Sequence, residues 1–201
     1  MNKKSVFTTK YMARIAILSA VATVLMMFDF PLPFIAPPFY KIDFSEVAVL
    51  IGGFAMGPWA AVMIEFLKIV LNLLFTSTQT MFVGEISNFI VGCAFCVPAT
   101  IIYQKHKTKQ TAIKGLIVGS ITMAAIGFLT NFFFIIPAYV AFTNFTLEQI
   151  VGMATAIFPF INSKFLLVLC CTTPFNLIKG VIVSLFTVLL YKHVSPLLKC
   201  N

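Results

Sequence analysis

The chain alternates long apolar blocks with short breaks rich in charge, proline or glycine. Blocks at about 10–28, 43–56, 58–75, 81–103, 112–142 and 171–191 are apolar nearly throughout, as in helices surrounded by lipid and protein. They predict an all-α integral membrane protein, a bundle of six transmembrane helices forming one domain over residues 1–201. The second block is short and opens with Asp43. Gly57-Pro58 closes it and starts the third, because proline suits the first turn of a helix and not its interior. Between 144 and 170 the pattern breaks into Thr146 to Phe158 and then Pro159-Phe160-Ile161-Asn162-Ser163-Lys164, which predicts a structured loop with one or two short interfacial helices.

Composition agrees: 60% of the 201 residues are hydrophobic and 10% charged, too little polar surface to solvate a soluble domain. The charge pattern adds orientation. Of the 14 basic residues, Lys3, Lys4, Lys10, Arg14, Lys105, Lys107, Lys109, Lys114, Lys192 and Lys199 fall on one side of the predicted bundle. Lys41 and Lys164 fall on the other, so the positive-inside rule puts both termini in the cytoplasm. The net charge of +8 then reflects topology and anionic lipid, and no basic soluble face is left for nucleic acid. Ala20-Val21-Ala22 resembles a signal-peptide cleavage site, but the apolar run continues through Met27 and reads as a first span.

Two basic residues, Lys68 and Lys179, lie inside spans. A lysine near the bilayer centre costs about 2.5–3.5 kcal/mol on insertion scales and is kept there for a partner, a cavity or a ligand. Lys68 has Glu65 one turn away, and the two can neutralise each other. Lys179 has Asn176 one turn away on the same helix face. Glu85 and Asn88 open the fourth span, and Asn131 lies in the outward half of the fifth, at a depth comparable to Asn176 and Lys179. Each amide reads either as interhelical glue or as part of a polar pocket. Asp29 to Tyr40 carries four prolines, which predict extended backbone, and aromatic rings that form either a lid over a planar ligand or a headgroup-level belt. Asp43 and Glu46 suit the positive end of the second helix.

Reaction chemistry has little to work with. His106 and His193 fall in basic termini and loops, and Cys93-Ala94-Phe95-Cys96 lies in an apolar helix with no second pair, so it reads as packing. Cys170, Cys171 and Cys200 form no disulfide framework. No Gly-x-Ser-x-Gly, His-Glu-x-x-His or Gly-x-x-x-x-Gly-Lys-Ser/Thr occurs. We therefore expect no enzyme, no metal and no cofactor, and any ATP-driven work must come from other subunits.

Leu32-Pro33-Phe34, Tyr40-Lys41-Ile42-Asp43-Phe44-Ser45-Glu46, Gly57-Pro58-Trp59, Val83-Gly84-Glu85-Ile86-Ser87-Asn88-Phe89 and Pro174-Phe175-Asn176-Leu177-Ile178-Lys179-Gly180 together resemble the riboflavin-specific substrate-binding subunits of energy-coupling factor (ECF) transporters. The resemblance covers nearly the whole chain. It implies a multi-pass protein of a bacterial plasma membrane that binds riboflavin on the outside, partnered by a transmembrane coupling protein and two ATPase subunits. The family's flavin contacts map onto the first outward loop with Phe39, Tyr40 and Asp43, onto Asn131, Asn176 and Lys179, and onto Glu85 and Asn88. Its Ala-x-x-x-Ala docking stripe is matched by Ala16 and Ala20, for which internal packing is an equal reading. The chain departs from the family at Ile69 and Asn72, where a polar residue and a histidine are common, and in the 76–82 loop, which lacks the usual glycines. The rival readings are a carrier of another vitamin, such as thiamine or pantothenate, and an intramembrane enzyme using Glu65, Glu85 or Asp43.

Overall fold

The computed structural model describes residues 8–78, 80–143 and 145–199, with side chains up to Tyr191. Lys3, Lys4, Asn144 and Cys200, and the side chains of Lys192, His193 and Lys199, lie outside the described residues. Helix α1 (Thr9–Met27) leads through two short strands, β1 (Phe30–Pro31) and β2 (Lys41–Ile42), to α2 (Ser45–Met56), α3 (Pro58–Thr76) and α4 (Val83–His106). Helix α5 (Lys109–Thr130) continues through a π turn at Asn131–Ile135 into α6 (Ile136–Phe142); α7 (Leu147–Thr155) stands alone; α8 (Lys164–Leu167) continues through a second π turn, Val168–Thr172, into α9 (Thr173–Lys199).

Local chemistry sets these boundaries. Thr8 accepts the Tyr11 amide, Pro58 occupies the first turn of α3 after Gly57 at φ 104°, and Thr108 and Thr146 form reciprocal capping boxes with Thr111 and Gln149. The sixth apolar block begins earlier than expected, at Lys164, because Ser163 caps the helix there and the π turn carries it past Thr172-Thr173-Pro174. The fourth helix starts at Val83, after Met81 and Phe82 at φ 50° and 68°. Left-handed backbone at two side-chain-bearing residues is strained where glycine would not be. Thr78 Oγ1 accepts the Phe82 amide at 3.0 Å and Thr80 Oγ1 the Gly84 amide at 3.0 Å, which holds this loop in place of glycine.

Five helical segments, Thr9–Met27, Pro58–Thr76, Val83–His106, Lys109–Phe142 and Lys164–Tyr191, are long and apolar enough to cross a membrane. The second predicted span is a different object. With 12 residues, α2 is roughly 18 Å long at 1.5 Å per residue, short of a hydrocarbon core of roughly 30 Å. It packs against α1, α3, α4 and α9, and every residue from Ser45 to Phe54 is buried. A helix enclosed by protein on all sides is apolar on all sides, which is why its sequence looks like a span.

Around α2 the long helices pack in the succession α1, α3, α4, α5, α9. The α4–α5 contact is close because Gly115 and Gly119 lie against the carbonyls of Ala99 and Phe95, where an added Cβ would come within 2.5 Å of the oxygen. At the end of the bundle where α2 stops, Gln104 donates to the Gly53 and Phe54 carbonyls at 3.3 and 2.9 Å, and the Tyr103 and Tyr191 hydroxyls touch. At the opposite end, Ala36 and Ile42 of the proline-rich loop join Ile136, Ile150, Ala154, Ile161, Leu167, Val168 and Phe175 in a second apolar cluster. The loop is a closed hairpin and not the extended segment its prolines predicted: β1 and β2 pair antiparallel, Lys41 bridges Asp29 at 3.0 Å, and turns form where Ala36 bonds to Leu32 and Tyr40 to Pro37.

Gly115→Val tests the α4–α5 approach. It should lower stability by about 1–3 kcal/mol, as overpacking of a fitted core does, read as a reduced midpoint of thermal unfolding in detergent. An unchanged midpoint would show that the helices can separate without cost.

Candidate ligand-binding site

Both π turns lie beneath the hairpin loop, and they touch each other. Each stands shortly before a proline, Pro137 or Pro174, whose missing amide and ring disrupt the preceding helical turn. The wider turn supplies a replacement: Ile136 bonds back to Asn131 and Thr173 to Val168. The side chains at these turns, Asn131 and Thr172, meet the loop's Tyr40. The Tyr40 hydroxyl donates to Asn131 Oδ1 at 3.1 Å and lies 2.7 Å from Thr172 Oγ1. Burial pushes the Tyr40 phenol above its ordinary range, so it remains a donor. Asn131 Nδ2 donates to the Gly127 carbonyl at 2.8 Å, fixing the orientation of the amide. The Tyr40 ring also packs on Phe39 at 4.6 Å and Phe175 at 5.4 Å, and Phe39 on Tyr139 at 5.9 Å.

One turn below Thr172 on α9, Asn176 is buried yet hydrogen-bonds to none of the described residues. One turn further, Lys179 lies 3.1 Å from Asp43 and 3.0 Å from Glu46. Glu46 also faces Lys68 at 3.3 Å, and Lys68 reaches Glu65 at 2.8 Å and the Ser45 hydroxyl at 2.8 Å. The expected Glu65–Lys68 pair is therefore one edge of a five-residue charge cluster in which no member is more than 7% exposed. It joins the start of α2 to α3 and α9. Asp43 also holds the Ser45 amide at 2.8 Å, so its helix-end role and its pairing with Lys179 coexist.

Of the residues singled out in the sequence, Phe39, Tyr40, Asp43, Asn131, Asn176 and Lys179 thus gather along the α5–α9 seam below the hairpin. Glu85 joins this group indirectly: it accepts from Thr80 at 2.8 Å in the loop before α4, and Thr80 also hydrogen-bonds to Tyr139, the ring that packs on Phe39; Asn88, half-buried one turn along, hydrogen-bonds to none of the described residues. Ala16 and Ala20 are exposed on α1, whose buried face is Ile15, Ser19, Ala22 and Thr23, so internal packing does not account for them. Cys93 and Cys96 are free thiols. Among the described residues no cluster of His, Cys, Asp and Glu is arranged to hold a metal. Sequence reasoning missed Thr172 and took Glu46 only as a helix-end charge. Pro174 two residues after Thr172 was the available signal for the first; nothing local signals that Glu46 faces two lysines.

Residues 10–191 match the family described as the substrate-specific component of ECF transporters. The chain is 32% identical to the riboflavin transporter RibU of Staphylococcus aureus (strain TCH60) over 198 residues, covering 98% of this chain and 97% of that one. It is 29% identical to the riboflavin transporter FmnP of Bacillus subtilis (strain 168), covering 93% of each. A solved structure of the S component of a bacterial ECF transporter superposes with a TM-score of 0.75 at 33% identity, covering 95% of this chain and 98% of that one. The family is a transporter component and not an enzyme. With a match running through nearly every helix that builds the seam below the hairpin, this chain belongs to the substrate-specific components of ECF transporters.

Proposed function

We propose that this chain is the riboflavin-binding component of an ECF transporter, a single unit in a bacterial plasma membrane in which five long helices enclose the short α2, which makes the sixth crossing inside the protein, with both termini in the cytoplasm. The observation that carries the cargo assignment is Asn176: a buried amide with no hydrogen bond to a described residue, between the Asn131–Tyr40–Thr172 group and Lys179. An amide on a largely buried side chain, with its own hydrogen-bonding groups uncommitted, can pair with the ring carbonyls and ring N–H groups of a ligand. Lys179 brings a donor whose charge Asp43 and Glu46 already compensate, which suits an uncharged ring edge better than an anion. Phe39, Tyr40 and Tyr139 supply aromatic surface for the ring faces. Both transporters compared above are named for riboflavin.

The chain has no nucleotide-binding motif, so uphill movement requires a partner module, here a transmembrane coupling protein and two ATPase subunits. The exposed Ala16 and Ala20 on α1 allow another helix to approach closely, which supports this face as the docking stripe.

Protein purified in detergent should quench riboflavin fluorescence with tight one-to-one stoichiometry. A ligand-free preparation that ignores riboflavin but binds thiamine or pantothenate would overturn the cargo. Asn176→Ala should weaken riboflavin binding by about 1–3 kcal/mol without lowering the unfolding midpoint. Lys179→Ala should do both, because it leaves Asp43 and Glu46 short of a buried counter-charge, a change that typically costs about 3–5 kcal/mol. Ala16→Leu should leave riboflavin titrations unchanged and reduce recovery of the intact complex with the coupling module. Equal recovery would remove α1 from the interface.

A further inference from the structure

Gly127 lies on α5 where the helix faces α9. An added Cβ there would stand 2.3 Å from Asn176 Nδ2 and 3.3 Å from its Cγ, and the next nearest atom is Val91 Cγ2 at 3.9 Å. The amide therefore meets α5 nitrogen first, with its oxygen turned away, and it occupies the volume a side chain at 127 would fill. The Gly127 carbonyl does a second job: it accepts Asn131 Nδ2 at 2.8 Å, which leaves Asn131 Oδ1 for Tyr40 at 3.1 Å.

Gly127 thus meets two amides from two helices, Asn131 through its carbonyl and Asn176 through the space its missing side chain leaves. Elsewhere on the same seam the close approach has a different partner: an added Cβ at Gly180 would lie 2.6 Å from the Ser120 hydroxyl, and no amide is involved. Gly115 and Gly119 are different again, since the atoms they would strike are backbone carbonyls that cannot move aside. At Gly127 the obstructing atom ends a two-torsion side chain, so a methyl group can be admitted by rotating Asn176, and the helix need not shift.

We propose that Gly127 is a specificity-determining positioning residue, whose missing side chain leaves room for the Asn176 amide in the orientation that reads the ligand. It rests on the riboflavin reading above, and it concerns a residue that touches no ligand. A methyl group at 127 pushes the Asn176 amide out of register and spares the bundle.

The test is a double-mutant cycle on the full-length protein in detergent, with riboflavin titrated by fluorescence quenching and thermal unfolding recorded for each variant. Gly127→Ala should weaken binding by roughly ten- to a hundredfold, the range of a lost buried polar contact. Asn176→Ala should lose a similar factor. The two losses should not multiply, because a methyl at 127 has nothing to displace once the amide is gone. The visible absorption band of riboflavin bound to Gly127→Ala should shift to match that of Asn176→Ala, a signature that general loosening of the helices would not produce.

Unchanged binding by Gly127→Ala, or losses that multiply in the double variant, would overturn the proposal while leaving the riboflavin reading intact. If Gly127→Ala alone does not fold, the double variant decides. Recovery of the fold when Asn176 is also alanine supports the amide as the obstruction, and failure to recover assigns Gly127 to helix packing. Failure of the unmodified protein to bind riboflavin would overturn the cargo and this inference together, and it is seen before any variant is made.

Discussion

Lys68 has no exposed surface, and its ammonium is held by Glu46 at 3.3 Å, Glu65 at 2.8 Å and the Ser45 hydroxyl at 2.8 Å. The arrangement of the bundle turns on this cluster. Helix α2 is too short to be positioned by the two faces of a bilayer, and its apolar surface fits neighbours on every side, so packing alone leaves its depth and rotation loosely defined. Ion pairs to α3 and α9 remove that freedom. Desolvating five charged groups costs several kcal/mol per ion, and the mutual pairing offsets this only in one geometry. Register of α2 is what that cost secures.

The same pairing links fold to ligand chemistry. Because Glu46 is shared between Lys68 and Lys179, the ammonium nearest the seam is fixed by a helix buried in the centre of the bundle. Above it the π turns perform the corresponding task for Asn131 and Thr172. A regular α-helix places side chains at intervals of about 100°, and one widened turn shifts all later positions around the axis. Two such turns in contact let α5 and α9 present polar groups to one point without breaking either helix. Tyr40 then ties the hairpin loop to that point, so the loop's position and the orientation of the amides are set by one set of hydrogen bonds.

Much of this was legible along the chain. The apolar blocks located the helices, Gly57-Pro58 located the turn between α2 and α3, and the cost of an intramembrane lysine marked Lys179 and its neighbour Asn176 as needing partners. Those inferences rest on interactions within one helical turn or on transfer from water to lipid, and such terms depend on local sequence alone. The missing glycines of the 76–82 loop were visible too, and the left-handed backbone of that loop accordingly falls on side-chain-bearing Met81 and Phe82.

Other features depended on pairs distant in sequence. Asp43 and Lys179 are separated by 136 positions, and Tyr40 and Thr172 by 132, so no local pattern could join them. Apolarity could not distinguish a helix facing lipid from one enclosed by protein, which is why α2 reads as a span and is instead the buried centre. Prolines that favour extended backbone in isolation close a hairpin here, because strand pairing and the Asp29–Lys41 bridge bring its ends together. Sequence by itself determined which segments must leave water and which polar groups could not remain alone there. Only the tertiary structure decided who their partners are, because partnership across helices is a property of packing geometry and not of order along the chain.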